Sequence, residues 1–276
     1  MTSFQARSNS LPSQSHPVIN DVEDHLNKLR KASRATSTSS ICASLASLRD
    51  LHEGINSIVR MPSTIRQAIA HEKDETWMNE LLEESIGLVD LCGFSRDIVQ
   101  LTKESIQELE SSVRRNKVET TTSAGGINLY VASRKKINKM VGKRLKNISN
   151  NANQNPPGLP QIGIILNEAK SLGLSIMKSL LIFLSGEKER SSGRGWPLLS
   201  NFTQRKRVSE VKQESRFEDL CFVNVQHSTK NVDAKSMLVQ LKTSEMSIHN
   251  IEEGLEALFR SLVKTRVALL NALSHD

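Results

Sequence analysis

The sequence predicts an all-α protein: an elongated multi-helix bundle with two long helices and a disordered N-terminal tail. Three observations carry that prediction. Glycine (13) and proline (7) are few among 276 residues, and aromatic content is only 4%. Long stretches lack proline, which would break a helix interior. From Val232 to Leu273, Leu241, Ile248, Leu255, Leu262 and Leu269 recur every seven residues. Leu238, Ile251, Leu258, Phe259 and Leu273 fill positions three or four away, so the apolar stripe is helical and wide. A helix of about 40 residues runs about 60 Å and cannot cover its own stripe. The stripe reads either as the long core helix of a bundle or as an intermolecular coiled coil. Its width, and the other amphipathic helices of the chain, favour the core helix.

Taken in order, residues 1–17 are polar and low in complexity and read as a disordered tail. Residues 18–276 read as a single helical-bundle domain, with loops near 119–126, 150–158 and 186–200. A first helix is expected from Asn20 or Asp21 to Lys31, where Val22, Leu26 and Leu29 give a narrow apolar face. A Ser/Thr-rich joint, Ser33 to Ser40, follows. The second helix takes Ile41, Leu45, Leu48, Leu51, Ile55, Ile58 and Val59 and stops before Pro62. Ser63 or Thr64 can cap a short helix to His71. From Asp74 a long helix carries Trp77, Leu81, Ile86, Phe94, Ile98, Leu101, Ile106, Leu109 and Val113. Gly87 and Gly93 lie inside it at about 1 kcal/mol each relative to alanine, a cost that close approach of a neighbouring helix would offset. Ile127 to Ile148 reads as a basic helix with Ile137, Met140, Val141, Leu145 and Ile148 on one face. Leu159 to Ser185 is apolar, dotted with small residues, and suits a central position. Leu198 to Thr229 fits either helix or an extended piece.

Charge is unevenly placed. The net charge is +7, yet between Arg114 and Lys146 ten basic residues stand against one acid, Glu119. Within that stretch Arg134, Lys135, Lys136, Lys139, Lys143, Arg144 and Lys146 form the candidate site for an anionic surface. Three readings compete. The helix packs on the bundle and leaves a solvated face that is inert or binds an acidic protein. Alternatively it lies on an anionic membrane with its apolar residues dipping in. Contact with nucleic-acid phosphates ranks last, because no aromatic beyond Tyr130 is interleaved with the charges. A second candidate is Ser10: Arg7-Ser8-Asn9-Ser10-Leu11-Pro12 has the form R-S-x-S-x-P. Phosphorylated there, it would resemble a ligand for 14-3-3 proteins.

Several blocks of the chain resemble a known family. RSNSLPSQSHP and VEDHLNKLR come first, then LASLRDLHEGINSIVRMP. WMNELLEESIGLVDLCGFSRDIVQLTKESIQELESSVRR and IEEGLEALFRSLVKTRVALLNALSH are the longest. They are similar to the plant-specific family grouped with the BYPASS proteins (domain of unknown function 241). Residues 118–161 and 186–229 match it less clearly. The resemblance implies a link to root and shoot development and to restraint of a root-derived mobile signal that arrests shoot growth. It supplies no catalytic residue and no cofactor.

Reactive constellations are thin. The seven histidines (16, 25, 52, 71, 227, 249 and 275) form neither HExxH nor a close ligand pair, so no metal is expected. His52 and His249 read as helix-surface or interfacial residues. No phosphate-loop signature is present. Cys42, Cys92 and Cys221 lie far apart without CxxC spacing, which suits reduced thiols in a cytosolic compartment. Cys92 reads as a small packed residue, and Arg96 and Asp97 read either as a buried pair or as surface residues. Leu172 to Leu184 is apolar but contains Lys178 and is too short to span a bilayer; residues 1–17 have no apolar core of the kind a secretory signal requires. The expectation is a non-enzymatic interaction or scaffold protein without cofactor, cytoplasmic or peripheral to a membrane. The alternative is a small-molecule-binding or metabolic bundle acting on a mobile developmental signal. A concave pocket with converging polar groups would favour the alternative.

Overall fold

A computed structural model of the chain describes residues 17–31, 37–61, 76–116, 123–148, 159–186 and 234–274. Among these residues the protein is all-α: α1 (Pro17–Lys31), α2 (Thr38–Val59), α3 (Thr76–Asn116), α4 (Ser123–Asn147), α5 (Gln161–Ser185) and α6 (Ala234–Ser274). The short helix expected at 63–71, the ambiguous stretch 198–229 and the loop at 150–158 lie outside the described residues. So do the 1–16 tail and the loop beyond Gly186.

Three helix starts differ from the sequence expectation, each for a local reason. α1 begins at Pro17 rather than Asn20. Proline has no N–H to leave unpaired in a first turn, and its fixed φ suits that position. α2 begins at Thr38, inside the Ser/Thr-rich joint. Ser37 Oγ accepts the Ser40 N–H at 3.2 Å, and Ser40 Oγ accepts the Ser37 N–H at 3.0 Å. This reciprocal capping satisfies two otherwise unpaired donors. α4 begins at Ser123, so the expected loop at 119–126 loses its last four residues to the helix. Gly126 there serves contact rather than a turn, because a β-carbon would lie 2.0 Å from Ser112 Oγ of α3.

The two long helices, α3 and α6, are 41 residues each and pack along their length. They run antiparallel, as a ladder of cross-links records. Gln107 bonds Glu245 at 2.9 Å, Lys103 meets Glu252 at 2.7 Å, and Arg96 meets Glu256 at 2.5 Å. At the far end Arg266 donates to the Leu82 carbonyl. α2 lies along the other side of α6 in the same direction, with Ser261 donating to the Arg49 carbonyl at 3.3 Å and Thr265 to the His52 carbonyl at 3.2 Å. α5 closes the ring by packing on both α2 and α3. α1 lies against α2 and α5, and α4 against α3 and α5.

The seven-residue stripe of α6 is the centre of this arrangement. Leu241, Ile248, Leu255, Leu262 and Leu269 are all buried, together with Ile251 and Leu258. Each such side chain contributes about 1.5–3 kcal/mol on leaving water. The core-helix reading therefore holds, and the stripe is covered within one chain. α5 fits centrally because its small residues admit close neighbours: a β-carbon on Gly173 would sit 2.8 Å from Leu88 Cδ2. α5 then ends at Gly186, whose φ of 71° is left-handed and favours glycine. Gly87 and Gly93 do not follow the expectation of close approach. Among the described residues, a β-carbon at either would meet nothing within 4 Å.

Candidate functional site

α4 is anchored by Tyr130, Ile137 and Val141, which are buried, and by Met140, Leu145 and Ile148, which are partly covered by the core. Its apolar face is thus turned onto α3 and α5 and is not free to dip into a bilayer. What remains outward from Lys135 onward is mainly basic. Lys135, Lys136, Lys139, Lys143 and Lys146 are all exposed. At about 100° per residue these five fall within one arc of about 100°, along about 16 Å of helix. α4 contains no acidic residue. Among the described residues, none of the five lysines forms an ion pair or hydrogen bond. Asn128, Leu129 and Ala132 continue the same exposed face toward the helix start.

The other two basic residues of the candidate site are held by the fold. Arg134 Nη2 donates to the Leu184 carbonyl at 2.6 Å, one residue from the end of α5. That end carries the negative pole of its helix, so a cation is favoured there. Burial pushes the Arg134 guanidinium down to about 10, which leaves it charged at neutral pH. Arg144 lies over the Phe94 ring of α3 at 5.7 Å, a cation–π contact. Ser10 lies outside the described residues.

Elsewhere the structure redistributes the reactive groups. Arg96 does not pair with Asp97. It reaches Glu256 on α6 at 2.5 Å and lies 4.8 Å above the Phe259 ring. Cys92 is fully buried, and burial pushes its thiol up to about 12, which suits packing and not nucleophilic attack. His249 is exposed beside Glu252 and Glu253. His52 is buried between helices, and neither ring nitrogen has a hydrogen-bond partner among the described residues. Burial pushes its imidazole down to about 4. Among the described residues, no group of three metal-ligating side chains converges, and no helix is long and apolar enough to cross a membrane.

One feature was absent from the sequence reading. A groove of about 790 Å³ runs between α3 and α6, lined by Gly93, Arg96, Asp97, Glu253, Glu256 and Arg260 among others. Its signal in the sequence is faint: charged residues recur on the outer sides of two helices whose inner sides are apolar. A second cavity of about 40 Å³, beside His52, is lined mainly by leucines. Only the larger approaches the size of a ligand site, and its walls carry charged residues, where such sites are mostly apolar.

A family model described as Protein BPS1 matches residues 44–272. The match begins inside α2 and takes in α3, α4, α5 and all but the last two residues of α6, but leaves out α1 and the two N-terminal blocks of the resemblance. No curated protein and no solved structure matches the chain.

Proposed function

The chain belongs to the Protein BPS1 family, and from that premise we propose a non-enzymatic interaction protein of plant development that docks through α4 on an anionic bilayer surface. Family membership is consistent with a developmental role. The observation that carries the docking is the single arc of five exposed lysines with no acid on the same helix. Near a negatively charged leaflet each lysine contributes about 1 kcal/mol at low ionic strength. Five in one plane contribute about 5 kcal/mol, falling as salt screens them. Because Ile137 and Val141 are buried in the bundle, the docking is electrostatic adsorption and not insertion. The small-molecule alternative has less support, since the groove between α3 and α6 is lined by charges that largely pair with one another.

Flotation with anionic and neutral vesicles across a salt series tests this. The expected result is binding to anionic vesicles alone, lost as salt rises, and abolished by replacing Lys135, Lys136, Lys139 and Lys143 together with glutamine. Binding that survives the quadruple replacement, or no binding at any salt, removes the membrane from the proposal. The lysine arc would then be assigned to an acidic protein. A 14-3-3 interaction through phosphorylated Ser10 belongs to the same scaffold reading and is tested by capture with and without phosphate.

A further inference from the structure

α6 carries a second seven-residue repeat on the side away from the core. Val239, Met246, Glu253, Arg260 and Val267 follow one another at that interval, and all five are exposed. Val239 and Met246 are each 62% exposed, and Val267, Leu270 and Val263 are 47%, 41% and 37%. This face is therefore apolar at both ends and charged in the middle. The charged middle borders the groove between α3 and α6, which Glu253, Glu256 and Arg260 help to line.

We propose that this face binds a second copy of the chain, with the two α6 helices antiparallel about a two-fold axis between Glu256 and Ala257. The order of residues selects that arrangement. An antiparallel pair centred there sets Glu253 opposite Arg260 of the partner subunit, twice by symmetry. It sets Met246 opposite Val267 of the partner subunit, also twice, with Leu270 of the partner subunit one turn further along. A parallel, in-register pair would oppose glutamate to glutamate and arginine to arginine, which like-charge repulsion disfavours. The two-fold pairing is isologous and closes, so it yields a dimer and not a fibre. Glu253 and Arg260 are free to turn toward a partner. Their side chains are 69% and 71% exposed, and among the described residues they are held only by His249 at 3.4 Å and Glu256 at 3.0 Å within the same helix. α4 packs on α3 and α5, so the lysine arc does not depend on this face, and the two proposals stand separately.

Charge exchange tests the pairing. Sedimentation velocity of the full chain over a concentration series should show monomer–dimer exchange. Glu253→Arg alone, or Arg260→Glu alone, removes two ion pairs and sets like charges opposite, and should weaken dimerisation by about tenfold or more. The double variant E253R/R260E should restore it. These side chains are exposed, so unchanged thermal unfolding verifies that each variant still folds. Met246→Lys should weaken the dimer independently of the charges. A wild-type chain that stays monomeric to several hundred micromolar overturns the proposal. So does a dimer that the double exchange fails to restore.

Discussion

Replacing His52 with leucine should alter stability in a way that depends on pH. The imidazole is 6% exposed, lacks a hydrogen-bond partner at either nitrogen among the described residues, and borders the small cavity lined by Leu81, Leu88, Leu166 and Leu262. Burial lowers its pKa from an ordinary 6.5 to about 4, a difference equivalent to about 3 kcal/mol. Below pH 6.5 the unfolded chain binds a proton that the folded chain refuses until about pH 4. The contribution of neutral His52 to stability is therefore complete above pH 6.5 and is lost as pH falls toward 4. Leucine is close in size, fits the apolar surroundings and has no proton to take. At pH 7.5 the variant should equal or exceed the wild type, because two unpaired buried nitrogens disappear. On acidification to pH 4 its advantage should widen by about 3 kcal/mol. Urea unfolding of both proteins at four or five pH values measures this. Carboxylates elsewhere titrate in both and cancel in the difference, and Lys170 and Arg266, which line the same cavity, are common to both proteins. A gap that stays constant between pH 7.5 and 4 would refute the assignment of His52 as buried and neutral.

Other substitutions probe the packing. Gly87→Ala should stabilise by up to about 1 kcal/mol in thermal or urea unfolding, since among the described residues nothing lies within 4 Å of the new carbon. Gly173→Val should instead cost about 1–3 kcal/mol, because Leu88 occupies the space. Leu255→Ala, at the centre of the buried stripe, should cost about 2–5 kcal/mol by the same measurement. Arg134→Met should cost about 1.5–3 kcal/mol through the lost bond to the Leu184 carbonyl. Lys135→Gln, one residue away, should stay within about 0.5 kcal/mol.

How far the fold could be read from sequence follows from what burial leaves in the chain. Leu241 to Leu269 had to recur at helical spacing because one side of α6 meets α2 and α3 throughout. Val22, Leu26 and Leu29 left a weaker trace of the same rule, enough to find α1 but not its start at Pro17. Gly126 falls at the end of the loop expected near 119–126, and a glycine in a turn and one in a close contact look alike until α3 is seen beside it. Gly87 and Gly93 show the converse: a glycine inside a helix suggests close packing, and among the described residues no neighbour approaches either. Arg96 reads in the sequence either as the partner of Asp97, its chain neighbour, or as a surface residue. Its actual partner, Glu256, is 160 residues further along the chain and becomes adjacent only when α3 and α6 pair.

The candidate site divides along a chemical line that the sequence reading treated as uniform. Both arginines are drawn into the fold and all five lysines are left outside. Guanidinium is planar and weakly hydrated, so it can donate to a helix end or lie on a ring while largely enclosed. Ammonium is compact and strongly hydrated, and its stem packs while the head stays in water. The same helix can therefore be fixed by Arg134 and Arg144 and remain basic on its outer side. Charge reversal of the whole segment would confound these two roles. Changing the lysines alone leaves the anchors in place, so any loss of docking can be assigned to the surface and not to an unfolded helix.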